Sequence, residues 1–279
     1  MFALLKILLL VCGGTYLFFV LFMFLTQRSA VFQPVAEHVT DPAAYQMEYS
    51  DQFLTNRLGT RIHAWHLRYP GASRTVLFCH GNAGNVSHRM ETLKLFRELG
   101  VSVLIFDYSG YGKSAGRPSE KATEADARAA WDYLMESGVA PDEVIIFGRS
   151  IGGGVAVSLA AELAREGVAP AGLVLESTFT SMVDVGKSHY PWLPISLLSR
   201  YRYESATKAE ALDVPTLVIH SRDDEIVPWT LGRGLYDALP GDPSFLEIHG
   251  SHNSGYMDSR DVYLQGLSKF LQEIDADSH

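Results

Sequence analysis

The 279-residue chain is long enough for one globular domain of roughly 240–250 residues and a short additional segment. Its composition, 47% hydrophobic and 20% charged, is typical of a folded protein that needs no disulfide or metal for stability. The formal net charge of −9 argues against a nucleic-acid partner, which requires a basic surface. Cys12 lies in an apolar N-terminal stretch and Cys79 in a predicted core strand, so we expect no disulfide between them.

The N-terminal stretch is apolar enough to cross a membrane. No residue from Ile7 to Gln27 is charged, and about 20 helical residues span the ~30 Å hydrocarbon core of a bilayer. A cleaved signal peptide is the alternative, but its apolar region is usually only ~7–15 residues long, and Thr26–Ala30 is a poor cleavage site. We therefore expect residues 1–29 to form an uncleaved single-pass anchor. Lys6 and the terminal amine favour a cytoplasmic N-terminus.

Beyond the anchor, short apolar stretches alternate with longer helix-like stretches. We expect residues 30–48 to form a juxtamembrane linker and residues 49–275 to form one domain. The alternation indicates an α/β fold, with a mostly parallel central sheet and helices on both faces. The stretch Tyr49–Tyr69 is typical of an antiparallel hairpin at a sheet edge. The other predicted strands are Thr75–Cys79, Val101–Phe106, Glu143–Phe147, Gly172–Leu175, Pro215–Ile219 and Ser244–Ile248.

A nucleophile is predicted where the strand Glu143–Phe147 ends. There the chain continues as Gly148-Arg149-Ser150-Ile151-Gly152 and then into a helix-like stretch. This is the G-x-S-x-G pattern, in which small residues permit a sharp strand-to-helix turn that exposes the serine hydroxyl. Ser150 is therefore the predicted nucleophile. An oxyanion hole needs two converging backbone N–H groups, which we assign to Ile151 and to Asn82 in the loop after Thr75–Cys79.

A base and an acid are predicted in two loops that follow later strands. His252 lies on a glycine-bounded loop just after Ser244–Ile248 and is the predicted base. Asp224 is favoured as the acid that orients it, because the chain returns to apolar packing just beyond, and Asp223 is the alternative. His80, in the loop that carries Asn82, is expected to brace that loop.

The sequence predicts neither a cofactor nor a metal. Gly112-Lys113-Ser114 is similar to the end of a phosphate-binding loop, but Asp107 occupies the position of its first required glycine. His63 and His66 are expected on opposite faces of a strand, and no Cys/His cluster has the spacing of a zinc site.

These motifs together resemble the α/β-hydrolase superfamily, specifically its branch of small membrane-anchored serine hydrolases in bacteria and eukaryotes. The order Ser150, Asp224, His252 is that of the superfamily. Ser109 stands where this branch usually has arginine, a difference that we expect to affect a surface salt bridge. The resemblance implies hydrolysis of an ester, thioester or amide. It covers roughly residues 50–275 and rests on His80–Asn85, Asp107–Ser114, Gly148–Gly153, Glu176–Phe179 and the loops of Asp224 and His252.

Residues 179–212 depart from the alternation of strands and helices. They include an apolar, proline-containing stretch, His189–Leu198, which we expect to form a cap over the active site, with ordinary core packing as the alternative. Such a cap beside a membrane favours lipid or S-acyl substrates. The sequence thus predicts a membrane-anchored hydrolase of acyl esters or thioesters. An aminopeptidase-type amide hydrolase and a non-catalytic, membrane-tethered binding protein are the alternatives.

Overall fold

The computed structural model describes residues 1–276. Its strands are β1 Gln33–Pro34, β2 Ser50–Thr55, β3 Arg61–Leu67, β4 Thr75–Cys79, β5 Ala83–Gly84, β6 Ser102–Phe106, β7 Val144–Arg149, β8 Gly172–Glu176, β9 Thr216–Ser221 and β10 Ser244–Ile248. Its α-helices are α1 Phe2–Val31, α2 Met90–Glu98, α3 Glu120–Glu136, α4 Ile151–Arg165, α5 Met182–His189, α6 Ile195–Leu198, α7 Ser205–Ala209, α8 Trp229–Ala238, α9 Gly255–Asp258 and α10 Arg260–Ala276.

The central sheet has the order β10-β9-β8-β7-β4-β6-β3-β2. The strands from β10 to β6 in this order are parallel, and β2 and β3 form an antiparallel hairpin at one edge. Alternate residues of β7 enter different cores: Ile146 packs with α3 and α4, whereas Ile145 and Phe147 pack with α2 and α10. Burial on both faces explains why this strand is apolar throughout. The predicted α/β fold, with a mostly parallel sheet between helices, is confirmed.

Helix α1 is long and apolar enough to cross a membrane, and none of its residues is fully buried against the rest of the protein. It ends at Val31, two residues beyond the expected anchor. The residues that follow pack on the domain, although we expected a linker. Phe32 is buried edge-on against Tyr201, with ring centroids 5.1 Å apart, and β1 pairs in parallel with β5. Phe32 and Met47 are both buried, and removing their apolar side chains from water favours this packing.

Ser109 belongs to a buried polar network, which corrects the expectation of a surface salt bridge. Its backbone N–H and its hydroxyl donate to the two carboxylate oxygens of Asp126, at 2.7 and 2.9 Å. Asn56 Nδ2 donates to the same carboxylate at 2.6 Å. Burial raises the pKa of Asp126 to about 6, although these hydrogen bonds favour its ionised form. Ser109 therefore stabilises the loop after β6 from inside the protein.

Two glycines allow α4 to start directly after β7. A Cβ at Gly152 would lie 2.0 Å from the carbonyl oxygen of Cys79 and 2.6 Å from that of His80. A Cβ at Gly148 would lie 2.4 Å from the carbonyl oxygen of Gly152. The first turn of α4 can therefore lie against the end of β4 only without these side chains.

We predict that Gly152→Ala lowers the free energy of unfolding by about 3 kcal/mol, because backbone atoms must move to admit the methyl group. Thermal unfolding of the full-length protein in detergent measures this loss. The matched control is Gly13→Ala, since nothing lies within 4 Å of the added atom. Equal melting temperatures for the two variants would contradict the prediction.

Candidate active site

The backbone of Ser150 is strained at the junction of β7 and α4. Its φ of 55° and ψ of −124° lie in a region that residues with a side chain rarely adopt. Two hydrogen bonds hold this conformation: Ser150 N donates to the carbonyl of Glu176 at 2.9 Å, and the Thr178 hydroxyl donates to the carbonyl of Ser150 at 2.8 Å. The turn directs the serine hydroxyl away from the sheet, at the carboxyl ends of the strands.

Three side chains form one chain of hydrogen bonds at this turn. His252 Nε2 lies 3.0 Å from Ser150 Oγ, and His252 Nδ1 lies 2.8 Å from Asp224 Oδ2. His252 and Asp224 are both buried. The structure thus brings together the three residues that the sequence selected as nucleophile, base and acid. In this geometry the carboxylate favours the imidazole tautomer whose Nε2 can accept the serine proton.

The two candidate acids have different surroundings. Asp224 Oδ1 accepts hydrogen bonds from the N–H groups of Ile226 and Val227, at 3.0 and 2.7 Å. Burial opposes ionisation of Asp224, but its interactions with His220 and His252 prevail and hold its pKa well below the ordinary value. Asp223 is exposed and instead accepts hydrogen bonds from His249 and from the backbone N–H of Gly250.

Glu225 was not selected from the sequence, yet it contacts the loop of the candidate base. Its carboxylate accepts a hydrogen bond from the backbone N–H of His252 at 3.0 Å. This bond helps to fix the histidine loop beside the loop of Asp224. It joins residues far apart in the chain, so no local pattern indicated it.

The two predicted oxyanion donors lie beside Ser150 and line the same cavity. Ile151 is the first residue of α4, so its N–H has no acceptor within the helix. The loop of Asn82 is held in place through its carbonyl oxygen, which accepts hydrogen bonds from the Tyr111 hydroxyl at 2.7 Å and from Gln33 N at 3.2 Å. Both predicted donors therefore border the cavity into which the Ser150 hydroxyl opens.

His80 is buried beneath this loop. Its Nδ1 lies 2.7 Å from the carbonyl oxygen of Gly81, and its ring packs on Tyr108 with centroids 4.5 Å apart. Burial lowers the pKa of His80 to about 3, so the ring is neutral at physiological pH. These contacts agree with a bracing role.

A buried ion pair lies directly behind the nucleophile. Arg149 Nε is 2.8 Å from Glu176 Oε1, and Tyr263 donates a hydrogen bond to the same carboxylate at 2.9 Å. The Arg149 guanidinium also lies over the ring of Tyr256, 4.1 Å from its centroid. Arg149 and Glu176 both belong to stretches that carry the family resemblance, but no local pattern indicated that they pair. Their pairing joins the ends of β7 and β8 on either side of the turn at Ser150.

A cavity of about 410 Å³ opens above Ser150 and His252. Residues 179–212, expected to form a cap, contribute α5 and α6 to its wall, and the C-terminal part of α1 contributes another side. Most of the lining side chains are apolar, as is usual for a site that binds an organic ligand. The cap residues that line it are Phe179, Met182, Val185, Gly186, His189, Tyr190, Leu193, Ile195, Leu198 and Ser199.

Within residues 1–276, one group of side chains has ligand atoms close enough together to hold a metal ion. It consists of His38, His63 and Asp107, whose ligand atoms all lie within 4.8 Å of one another. His38 Nε2 and His63 Nδ1 each lie 3.0 Å from Asp107 Oδ2. His63 Nε2 lies 2.6 Å from Asp51 Oδ1. Hydrogen bonds therefore account for this cluster, which connects residues 30–48 to the sheet.

Comparison with known proteins identifies relatives along most of the chain. A family model described as serine aminopeptidase, S33, matches residues 70–206. The uncharacterized protein Rv2307c of Mycobacterium tuberculosis is 37% identical over 258 residues, which cover 91% of this chain and 90% of that protein. Protein bem46 of Schizosaccharomyces pombe is 34% identical over 213 residues, covering 73% of this chain and 70% of that protein.

Lysophosphatidylserine lipase ABHD12 of Danio rerio is 35% identical over 181 residues. The match covers 58% of this chain and 46% of that lipase, so this chain spans about half of its length. Among solved structures, the Pyrococcus furiosus esterase Pf2001 superposes with a TM-score of 0.71 at 18% identity, covering 87% of this chain and 98% of the esterase. At this low sequence identity, the superposition shows that the two proteins share a fold.

The sheet order, the helices on both faces and the strand-to-helix turn at Ser150 define an α/β hydrolase. The chain belongs to the α/β-hydrolase superfamily, in the branch that includes ABHD12 and bem46. The family model and the relatives support a hydrolase of the lipase or esterase type.

We predict that the stability difference between the wild type and Asp224→Asn depends on pH. A carboxyl whose pKa is lowered by folding stabilises the protein above its unfolded pKa, near 3.9, and loses that contribution as the pH falls toward the folded value. The difference in melting temperature should therefore be constant above about pH 5 and shrink below about pH 4. The exposed Asp223→Asn is the control, with little difference expected. If the difference in melting temperature between the wild type and Asp224→Asn stayed constant down to pH 2, the lowered pKa of Asp224 would be contradicted.

Proposed function

We propose that the protein is a single-pass membrane serine hydrolase that cleaves acyl esters or thioesters of lipids. The observation that carries this proposal is the hydrogen-bonded chain of Ser150, His252 and Asp224 at the base of an apolar cavity. A hydroxyl, an imidazole and a carboxylate joined in this order are what nucleophilic acyl transfer requires.

The mechanism follows from the positions of these groups. His252 Nε2 accepts the Ser150 proton as Oγ attacks the acyl carbonyl, and Asp224 stabilises the imidazolium that forms. The N–H groups of Asn82 and Ile151 donate to the oxyanion of the tetrahedral intermediate. The imidazolium then protonates the leaving alcohol or thiol, which departs as the acyl-enzyme forms. Water activated by His252 attacks the acyl-enzyme and releases the acid.

A lipid substrate is supported by the cavity and by relatives. The cavity wall is mainly apolar, and the cap beside it exposes Trp192 and Leu197, which are 52% and 86% exposed. Exposed apolar groups of this kind are typical of a surface that meets a membrane. Several relatives are named lysophosphatidylserine lipases, a name that describes hydrolysis of a lipid. Helix α1 would hold the enzyme at the membrane, with its N-terminus in the cytoplasm.

The matching family model favours a second candidate, an aminopeptidase. Such an enzyme needs an anionic group to bind the substrate's terminal ammonium. None of the described residues that line the cavity is an aspartate or a glutamate. Acyl esters and thioesters therefore suit this cavity better than peptides with a free amino terminus. A panel of acyl esters, thioesters and aminoacyl amides tests this choice, and faster turnover of the amides would support the aminopeptidase.

We predict that a fluorophosphonate probe labels the wild-type protein and does not label Ser150→Ala, because only an activated serine attacks the probe. In-gel fluorescence of the full-length protein in detergent measures the labelling. Ser188→Ala, an exposed serine of the cap, is the control and should label like the wild type. A folded wild-type protein that remains unlabelled would instead support the non-catalytic binding protein.

We predict that Asp224→Asn lowers kcat for a short acyl ester by about 10³–10⁴-fold, because the imidazole loses both its orienting partner and the charge that stabilises its protonated form. The neighbouring Asp223→Asn should stay within about threefold of the wild type, because exposed pairs contribute little. Steady-state hydrolysis of a nitrophenyl butyrate ester measures both variants. A larger loss for Asp223→Asn would transfer the orienting role to that residue.

A further inference from the structure

Helix α1 packs on the cap through one stripe of its surface. The Tyr16 hydroxyl donates to the carbonyl oxygen of Trp192 at 3.2 Å, and the rings of Phe19 and Trp192 lie with centroids 5.0 Å apart. Tyr16 and Phe19 are one helical turn apart, so they lie on the same side of α1.

Gln27 continues this stripe and fixes α1 to the cap. Its Nε2 donates to the carbonyl oxygen of Leu198 at 2.8 Å, and its Oε1 accepts from the backbone N–H of Arg200 at 2.9 Å. The Arg200 guanidinium also lies 4.0 Å from the ring centroid of Phe24. The nitrogen and the oxygen of the Gln27 side-chain amide thus each form a hydrogen bond with the backbone of the cap. Because two opposed hydrogen bonds define its position, the helix has a fixed orientation against the cap.

The same stripe faces the catalytic cavity. Met23, Phe24, Gln27 and Val31 line the cavity that also contains Ser150. Met23, Gln27 and Val31 follow one another at intervals of four residues, and Phe24 precedes Gln27 by three, so all four lie on one side of the helix. Leu25 lies on another side and is 65% exposed.

The part of α1 that lines the cavity is long enough to lie along a long acyl chain. Met23 lies about 12 Å from Val31 along the helix axis, at 1.5 Å per residue. Val31 is close to the nucleophile end, because Gln33 just beyond it donates to the carbonyl oxygen of Asn82 at 3.2 Å. The cavity therefore runs along α1, away from Ser150 and toward the most apolar part of the helix. A butyryl group would remain near Ser150, whereas a palmitoyl group would extend to Met23.

We propose that α1 is one wall of the acyl-chain site. The chain of a membrane lipid enters between α1 and the cap, and Met23 and Phe24 set the length that fits. The segment that anchors the protein thus also selects its substrate. This inference rests on the proposed acyl hydrolase activity and adds a specificity role for residues outside the hydrolase domain.

The test compares two substitutions of α1 in the full-length protein, reconstituted in phosphatidylcholine vesicles. Met23→Trp fills the far end of the cavity, and Leu25→Trp adds similar bulk on the side away from it. Each methylene that loses its place in the cavity weakens binding by about fourfold. We therefore expect Met23→Trp to lower the ratio of kcat/KM for palmitoyl over butyryl ester by about tenfold or more. Leu25→Trp should leave this ratio unchanged.

An unchanged ratio in Met23→Trp would overturn the acyl-wall proposal, and so would an equal shift in Leu25→Trp. Met23→Phe adds less volume and should shift the ratio in the same direction by a smaller factor, so it replaces Met23→Trp if that variant does not fold. Hydrolysis of the butyryl ester by the wild type separates the two proposals. Its absence would refute the hydrolase activity itself, whereas butyryl hydrolysis with an unchanged ratio would refute only the role of α1.

Discussion

Ser150 has a backbone conformation that residues with side chains usually avoid, and the candidate active site is arranged around it. The turn is tolerated because Gly148 and Gly152 let α4 begin against the end of β4. Hydrogen bonds to neighbouring strand ends then hold it, and the buried pair of Arg149 and Glu176 supports it from behind. The loops of Asn82 and His252 meet at the place where this turn presents the hydroxyl. A change at this junction would therefore disturb every part of the site together.

Local patterns predicted much of this arrangement because the features concerned are determined locally. Alternating apolar strands and helices indicated the parallel sheet, and glycines between a strand and a helix indicated the turn at Ser150. The preference for Asp224 followed from the apolar residues just beyond it. In the structure, Ile226 and Val227 donate their N–H groups to that carboxylate, and Asp224 is the acid that contacts His252.

Contacts between distant segments were not predictable in this way. Helix α1 is apolar on all sides, so its sequence has no periodicity to show which side meets the cap. The prolines of residues 30–48 suggested a linker, but Phe32 is buried and β1 pairs with β5. The arginine that related proteins usually have at position 109 suggested a surface salt bridge, whereas Ser109 is buried and bonds to Asp126 of α3. Each of these contacts depends on how separate elements pack in three dimensions.

The direct connection from α1 through Phe32 to β1 has a mechanical consequence. Many membrane-tethered enzymes are joined to their anchor by a flexible segment and must find a lipid head by rotational diffusion. Here Phe32 is buried and Gln33 is hydrogen-bonded to the loop of Asn82, so the tilt of the domain follows the tilt of the helix. For a helix that crosses a bilayer, the height of Ser150 above the lipid and the angle at which an ester approaches it are set during folding. The domain then loses its rotational freedom relative to the helix once, during folding, and not again each time it meets a substrate.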